Sequence, residues 1–212
     1  MNKLGNLAPG TVSRLRRGVF LDLEATGLNE GSFPIEIGFA YIHTDEVGRD
    51  SVRSWSYLIK PHRSWDIEAV WSTESEKIHK IPMADLAFGE PVERVVEDYT
   101  RMQKMRECFF SDAPSYDCRW LAPAMKAGHK SEASCEEISM QLEFGFKHLF
   151  YEGLYDVPSE IVGNVISYLD QTAPNNTPHR AGPDAELMAL QALGLVRHLE
   201  AGTITQFESA YE

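Results

Sequence analysis

Two acids two residues apart in an otherwise apolar strand are what most restricts how this chain can fold. Gly18-Val-Phe-Leu-Asp22-Leu-Glu24-Ala-Thr-Gly-Leu28 reads as a strand that ends in a small-residue turn. Residues two apart on a strand project from the same face, so Asp22 and Glu24 stand side by side and repel. Val19, Phe20, Leu21 and Leu23 mark the strand as interior, and an interior carboxylate without a partner is costly. The pair is tolerated if a divalent cation sits between the acids, or if one of them keeps its proton. Two acids on a solvated strand face would be the plain alternative, and the apolar flanks argue against it.

The rest of the chain alternates in a way that supplies a sheet around that strand. Residues 1–16 read as an irregular lead-in and 17–24 as the first strand. Pro34-Ile-Glu-Ile-Gly-Phe-Ala-Tyr-Ile-His43 reads as a second strand, rich in β-branched and aromatic residues. A turn at Asp45-Glu-Val-Gly48-Arg leads into a third strand, Val52 to Ile59, with Trp55, Tyr57 and Ile59 on one face. Short turns between three strands predict an antiparallel meander. Residues 61–75 read as loop, and Thr73-Glu-Ser-Glu76 opens a short helix running to about Lys80.

Helices are predicted over Pro91–Arg106, with the apolar stripe Val92, Val95, Val96 and Tyr99, and over Asp117–Ala127, stopped by Gly128. Two more cover Ser159–Gln171 and Pro183–Leu199, the latter with Met188, Ala192, Leu195 and Leu199 as a core stripe. Short strands are expected at Glu107–Asp112 and Ile138–Leu142. A meander followed by alternating strands and helices gives an α/β fold, a mixed sheet with helices packed on it.

Composition narrows the function. One domain is the default for 212 residues. No apolar run approaches the roughly 18 residues of a membrane span, and the N-terminus lacks a secretory apolar stretch. Three cysteines, Cys108, Cys118 and Cys135, without metal-ligand spacing fit a reducing, cytoplasmic setting. The net charge of −12 argues against a protein that grips long duplex by its phosphates, since such proteins are basic. Any nucleic acid is expected to be held locally, at an end. Arg14, Arg16 and Arg17 form the dense basic cluster, read as a solvated approach to the first strand.

Further acids lie far along the chain. In Pro178-His179-Arg-Ala-Gly-Pro183-Asp184, Pro183 suits the first helical position and Asp184 the first turn. The helix dipole favours a carboxylate there, but Asp184 stands four residues before Met188 and so on the buried face. Glu186, roughly 200° further round the helix, is read as solvent-facing. His179 sits in the adjoining loop, where imidazole can exchange protons near neutral pH. In the middle of the chain Asp112 and Asp117 compete: Asp112 ends a strand and suits a turn with Pro114, and Asp117 opens a helix. Composition and spacing do not choose between them.

Asp22-Leu-Glu24-Ala-Thr-Gly-Leu28, Asp117 at the head of a helix, and His179 separated by four residues from Asp184 together resemble the DEDDh family of 3′–5′ exonucleases. That family includes the proofreading subunit of bacterial replicative polymerase and ribonuclease T. Pro34-Ile-Glu-Ile-Gly38 resembles its second strand. Ile78-His79-Lys-Ile81 resembles its Ile/Val-His-Gly-Ile segment, with Lys80 in the place of glycine. The resemblance covers about residues 17–200, leaving 1–16 as a lead-in and 201–212 as a C-terminal extension, and it selects Asp117 over Asp112.

The resemblance implies a ribonuclease-H-like fold in which Asp22, Glu24, Asp117 and Asp184 hold two divalent cations, Mg²⁺ or Mn²⁺. Hard cations of this kind take carboxylate oxygens, and a pair of them stabilises the attacking and leaving oxygens of a phosphodiester. It also implies His179 as general base and release of nucleoside 5′-monophosphates from the 3′ ends of single-stranded DNA or RNA. Ala25, Thr26, Gly27 and Leu28 would meet the terminal nucleotide, as would His79. Other readings are a non-catalytic nucleic-acid-binding module on the same fold and a phosphodiesterase of dinucleotides or other short oligonucleotides. A stand-alone enzyme is expected, with dimerisation left open because the aromatic stretch Phe144 to Tyr155 has no assigned role.

Overall fold

A computed structural model describes residues 7–106, 108–128, 142–143, 156–173 and 177–204. The aromatic stretch Phe144 to Tyr155, most of the strand expected at Ile138–Leu142, Cys135 and the last eight residues of the C-terminal extension lie outside the described residues.

The meander forms as expected: β1 (Val19–Ala25), β2 (Pro34–Thr44) and β3 (Asp50–Lys60) are antiparallel neighbours. Two-residue strands complete a six-stranded mixed sheet in the order β4-β3-β2-β1-β5-β6, with β4 at Glu90–Pro91, β5 at Phe109–Phe110 and β6 at Leu142–Glu143. β4, β5 and β6 all pair in parallel. The strand expected over Glu107–Asp112 is thus shorter than its apolar run suggested. β1 lies inside the sheet between β2 and β5, as its sequence required.

Alternation sorts the side chains of β1 into two cores. Val19, Leu21, Leu23 and Ala25 face a cluster with Ile37, Phe39 and Ile59, and with helices α4 (Val92–Met105) and α5 (Pro114–Ala127). Phe20 faces the other cluster, with Ala40 and Ile42 and the helices α1 (Pro9–Arg17), α6 (Ser159–Gln171) and α7 (Ala181–Ala201). The predicted stripes Val92/Val95/Val96/Tyr99, Ile161/Val165/Leu169 and Met188/Ala192/Leu195/Leu199 are all buried. No helix among the described residues is long and apolar enough to cross a membrane.

Several boundaries differ from the expectation, for a shared reason. The lead-in is not irregular: it holds α1, whose free N-terminal N–H groups are met by a distant acid. Asp156 accepts from Gly10 N at 2.8 Å, Thr11 N at 2.9 Å and the Thr11 hydroxyl at 2.8 Å. Arg16 is not merely solvated. It donates to Asp50 at 2.8 Å and to Glu200 at 2.9 Å, tying α1 to β3 and α7. The loop of 61–75 contains one helical turn, α2 (Ile67–Val70), capped by Asp66, and then α3 (Thr73–His79), capped by Ser72. α5 opens on Pro114 and not on Asp117, and α7 opens on Ala181, two residues before Pro183. Glu186 is half-buried and accepts from the Ser54 hydroxyl at 2.8 Å.

Candidate active site

Phe20, Asp22 and Glu24 share the face of β1 on which α7 lies. Asp22 is paired across the ladder with Gly38, and Glu24 with Glu36. Gly38 is what lets α7 begin there: a Cβ at that position would overlap the Ala181 carbonyl and the Gly182 nitrogen. The first turn of α7 therefore rests directly on the sheet beside Asp22, and that seating delivers Asp184.

Glu36 fixes the seating. The residue is 1% exposed. It accepts from Arg180 Nε at 2.9 Å, Arg180 Nη2 at 2.7 Å and Ala181 N–H at 2.9 Å. A two-pronged guanidinium–carboxylate bond of this kind sets orientation as well as energy. Asp184 then reaches back to the Arg180 N–H at 3.1 Å, in the manner of a capping box.

Carboxylate oxygens converge in two overlapping groups. Asp22, Glu24 and Asp184 offer oxygens within 4.8 Å of one another, and so do Asp22, Asp112 and Asp117. Asp22 belongs to both. The structure thus unites the four predicted acids and adds Asp112, which the family resemblance had set aside. Asp117 is 1% exposed. Its Oδ2 accepts from the buried Ser111 hydroxyl, which in turn accepts from Ala113 N at 3.1 Å.

Crowded carboxylates resist ionisation. Burial, reinforced by Asp117, holds Asp22 well above the usual carboxylate range. Burial and then Asp184 push Glu24 up to about 8. Burial raises Asp117 against the opposing Ser111 hydroxyl, and burial raises Asp184 against the Arg180 N–H. Asp117 Oδ1 and Asp184 Oδ1 are sealed from water without a hydrogen-bond partner. Buried, unsatisfied acceptors among like charges are unfavourable unless a cation completes them. Hard oxygen donors of this number suit Mg²⁺ or Mn²⁺, so the residues present fit such ions.

His179 belongs to neither group of acids. It is exposed, carries a left-handed backbone with φ of 51°, and has ring nitrogens 3.4 Å from the Thr177 hydroxyl. His79 does not face water at a helix end: it is 2% exposed. Its Nδ1 accepts from Ile81 N at 3.0 Å, so neutral His79 carries its proton on Nε2, which has no partner. Burial lowers its pKa and favours that neutral form. Lys80 caps α3 at φ 57°, a left-handed residue whose N–H meets the Glu76 carbonyl. The sharp turn that glycine usually makes is therefore made here by lysine.

In the turn after β1, the Ala25 methyl points into the core beneath the sheet. The Thr26 hydroxyl accepts from Phe33 N at 3.0 Å, and the Thr26 carbonyl accepts from Ser72 N at 2.8 Å. Gly27 is buried against the 70–72 segment, and Leu28 is 60% exposed. Side-chain contact with a ligand from this turn thus falls to Leu28, and the others offer backbone. The residues that the sequence reading passed over are Glu36, Gly38, Ser111 and Asp112. Their signal was there only in part, as the motif Pro34-Ile-Glu-Ile-Gly38 and the rivalry of Asp112 with Asp117, which composition and spacing left open.

No family model and no curated protein sequence matches this chain. Solved structures do match. One is of the cell-death related nuclease 4 (CRN-4), at a TM-score of 0.58 and 15% identity, over 89% of this chain and 65% of that one. Another is a 3′-exonuclease described for 3′-end specific recognition of a histone mRNA stem-loop, at 0.57 and 13%, over 96% and 68%. A third is E. coli Exonuclease I with a dT13 oligonucleotide, at 0.51 and 11%, over 90% and 42%. The chain spans from 42% to 68% of the length of these proteins. Around its convergent acids, this chain has the ribonuclease-H-like α/β fold that these three nucleases share.

Proposed function

We propose that the chain is a metal-dependent 3′–5′ exonuclease that releases nucleoside 5′-monophosphates from the 3′ ends of single-stranded DNA or RNA. The observation that carries this reading is Asp22, shared between two carboxylate groups that converge on one strand end. Asp22, Glu24, Asp117 and Asp184 would hold two cations, Mg²⁺ or Mn²⁺. Bound there, the cations supply charge neutralisation for the phosphodiester oxygens and acidify the attacking water.

The chain's own residues do the rest. His179, exposed on the loop before α7, takes the proton of the attacking water on a ring nitrogen as the water oxygen bonds to phosphorus. The bond from phosphorus to the 3′ oxygen breaks, leaving a 5′-monophosphate and a new 3′-hydroxyl on the shortened strand. Arg180, clamped by Glu36, keeps the loop carrying His179 in register with Asp184. Leu28, 60% exposed, offers an apolar surface to the base of the terminal nucleotide. Backbone and apolar contacts read little sequence, which suits stepwise degradation. The described fold neighbours support the class of reaction, since each is a nuclease by its own description.

The test is a time course on matched DNA and RNA oligonucleotides, single- and double-stranded, with Mn²⁺ and with EDTA. Mononucleotides that appear only with Mn²⁺ are expected, and intact substrates throughout would overturn the reading. A dinucleotide belongs in the same assay, because a net charge of −12 favours short substrates over long ones. Cleavage confined to it would replace the exonuclease with a phosphodiesterase of short oligonucleotides.

A further inference from the structure

A groove on the face of the sheet turned away from the catalytic acids differs in composition from the rest of the chain. Arg53, Trp55 and Tyr57 alternate on one face of β3. Trp55 and Tyr57 pack there with Val19, Leu21 and Leu23 of β1, whereas Asp22 and Glu24 project from the opposite face. Tyr41 of β2, opposite Arg53 in the ladder, extends the aromatic surface. The end of α4 closes the groove from the side with Arg101, Met105 and Arg106, leaving an open space of about 380 Å³. The chain has 32 acidic and 20 basic residues. Among the described residues this lining nevertheless holds three aromatic rings, two methionines, two arginines and no acid.

The rings and cations are held in place. Phe39 backs Trp55 with ring centroids 5.3 Å apart, and Tyr41 meets Trp55 edge-on at 6.0 Å. Arg106 stands over the Tyr41 ring, 4.0 Å from its centroid. Contact with a ring face leaves guanidinium N–H groups for an anion. The nearby acids of α4 are already engaged. Asp98 is 2% exposed and binds the Tyr57 hydroxyl, Arg101 at 2.8 Å and Arg94 at 3.6 Å, and Glu97 lies 4.0 Å from Arg94. Arg53, Arg94, Arg101 and Arg106 outnumber these two acids, so the groove is locally positive in an acidic protein. Aromatic faces beside arginine forks suit unpaired bases and their phosphates. Duplex hides its base faces, which leaves single strands as the occupant.

We propose that this groove is a second, non-catalytic site for single-stranded nucleic acid, where a base stacks against Trp55 and Arg101 and Arg106 take phosphates. The choice of occupant rests on the nuclease reading above. Because the groove and the acids lie on opposite faces of the sheet, the nucleotide held here is not the one hydrolysed. The groove holds the 5′ portion of a strand whose 3′ end lies at the acids. It thus gives longer single strands an affinity that a dinucleotide lacks. A small positive groove in a chain of net charge −12 holds a short stretch of strand and not a long duplex.

Fluorescence anisotropy of a labelled oligothymidylate of about 12 nucleotides, with the full chain in EDTA so that nothing is cut, tests this. Wild type is expected to bind, more weakly as salt rises. Met105→Glu, at a residue 68% exposed, and Arg106→Glu should each bind about 10-fold or more weakly, the loss of one charge-assisted contact. Arg106→Lys keeps the charge and should recover most of that loss. All three variants should melt within about a degree or two of wild type. With Mn²⁺ they should hydrolyse a dinucleotide at the wild-type kcat/KM, while the two glutamate variants show a raised KM for the oligonucleotide. Failure of wild type to bind, or wild-type affinity in both glutamate variants, would overturn the groove and leave the exonuclease reading intact. A wild-type dimer that Met105→Glu separates in sedimentation, with oligonucleotide affinity unchanged, would assign the groove to a second copy of the chain instead. Groove-dependent binding with every substrate left intact in Mn²⁺ would overturn the exonuclease reading alone.

Discussion

At the scale of single residues, His179 and Glu36 act on the same loop in different ways. His179 holds φ at 51°, a left-handed conformation that costs a non-glycine residue of the order of 1 kcal/mol and is tolerated where surroundings impose it. The surroundings here are Arg180 and Ala181, both bound to the buried Glu36 carboxylate. His179→Ala should lower turnover by about 10²–10⁴-fold, the range of a general base, and leave Mn²⁺ binding unchanged. Parallel loss of turnover and Mn²⁺ binding would make His179 a ligand and not a base. Glu36→Gln keeps the shape but turns an amide N–H toward three donors. Bonds to a charged acceptor are worth about 1.5–3 kcal/mol, and stability measured in urea should fall by about that much. Its kcat should fall about tenfold or more, as some 1.4 kcal/mol of lost positioning implies. Wild-type kcat in a folded Glu36→Gln protein would show that the clamp does not position His179.

Among elements, the contact of α7 with β2 decides the site. Asp184 comes from the far end of the chain, and it reaches Asp22 and Glu24 because Gly38 leaves room for the Ala181 carbonyl. Gly38→Ala puts a methyl into backbone, which cannot rotate away as a flexible side chain would. Overpacking of this kind costs about 1–3 kcal/mol or more. The helix start should lift from the sheet, so urea denaturation is expected to show that loss, with exonuclease activity and Mn²⁺ affinity falling together. A Gly38→Ala protein as stable and active as wild type would mean that α7 is seated by other contacts. A different Asp184 environment in such a protein would be visible as a changed Mn²⁺ stoichiometry.

For the molecule as a whole, the raised acids link stability to pH. Glu24 ionises at about 4.5 when unfolded and near 8 when folded. Between those values the native state binds the proton and the unfolded state does not, so stability falls as pH rises through that window. Asp22, Asp117 and Asp184 shift in the same direction. The melting temperature of the metal-free protein should therefore decline from pH 5 to pH 8. Mn²⁺ binds the ionised acids, and at about 100 times its Kd it should restore about 2.7 kcal/mol, or roughly 5–10 °C, at pH 8 and distinctly less at pH 5.5. A melting temperature flat with pH, or an equal Mn²⁺ effect at both values, would exclude a cation site built from these acids.

What the sequence determined by itself was local and periodic. The interior strand with Asp22 and Glu24 on one face, the meander, and the buried stripes of α4, α6 and α7 follow from side-chain alternation and helical spacing, which depend only on near neighbours in the chain. The motif resemblance named Asp117 and Asp184, and the fold brings an oxygen of each within 4.8 Å of one of Asp22. Only the tertiary structure decided where α1 and α7 begin, because their N-terminal N–H groups are satisfied by Asp156 and Glu36, each about 145 residues away in the chain. The same holds for Asp112. Whether a carboxylate joins a cluster or makes a turn depends on which acids the fold brings within a few ångströms of it. That is a matter of packing, and no spacing along the chain records it.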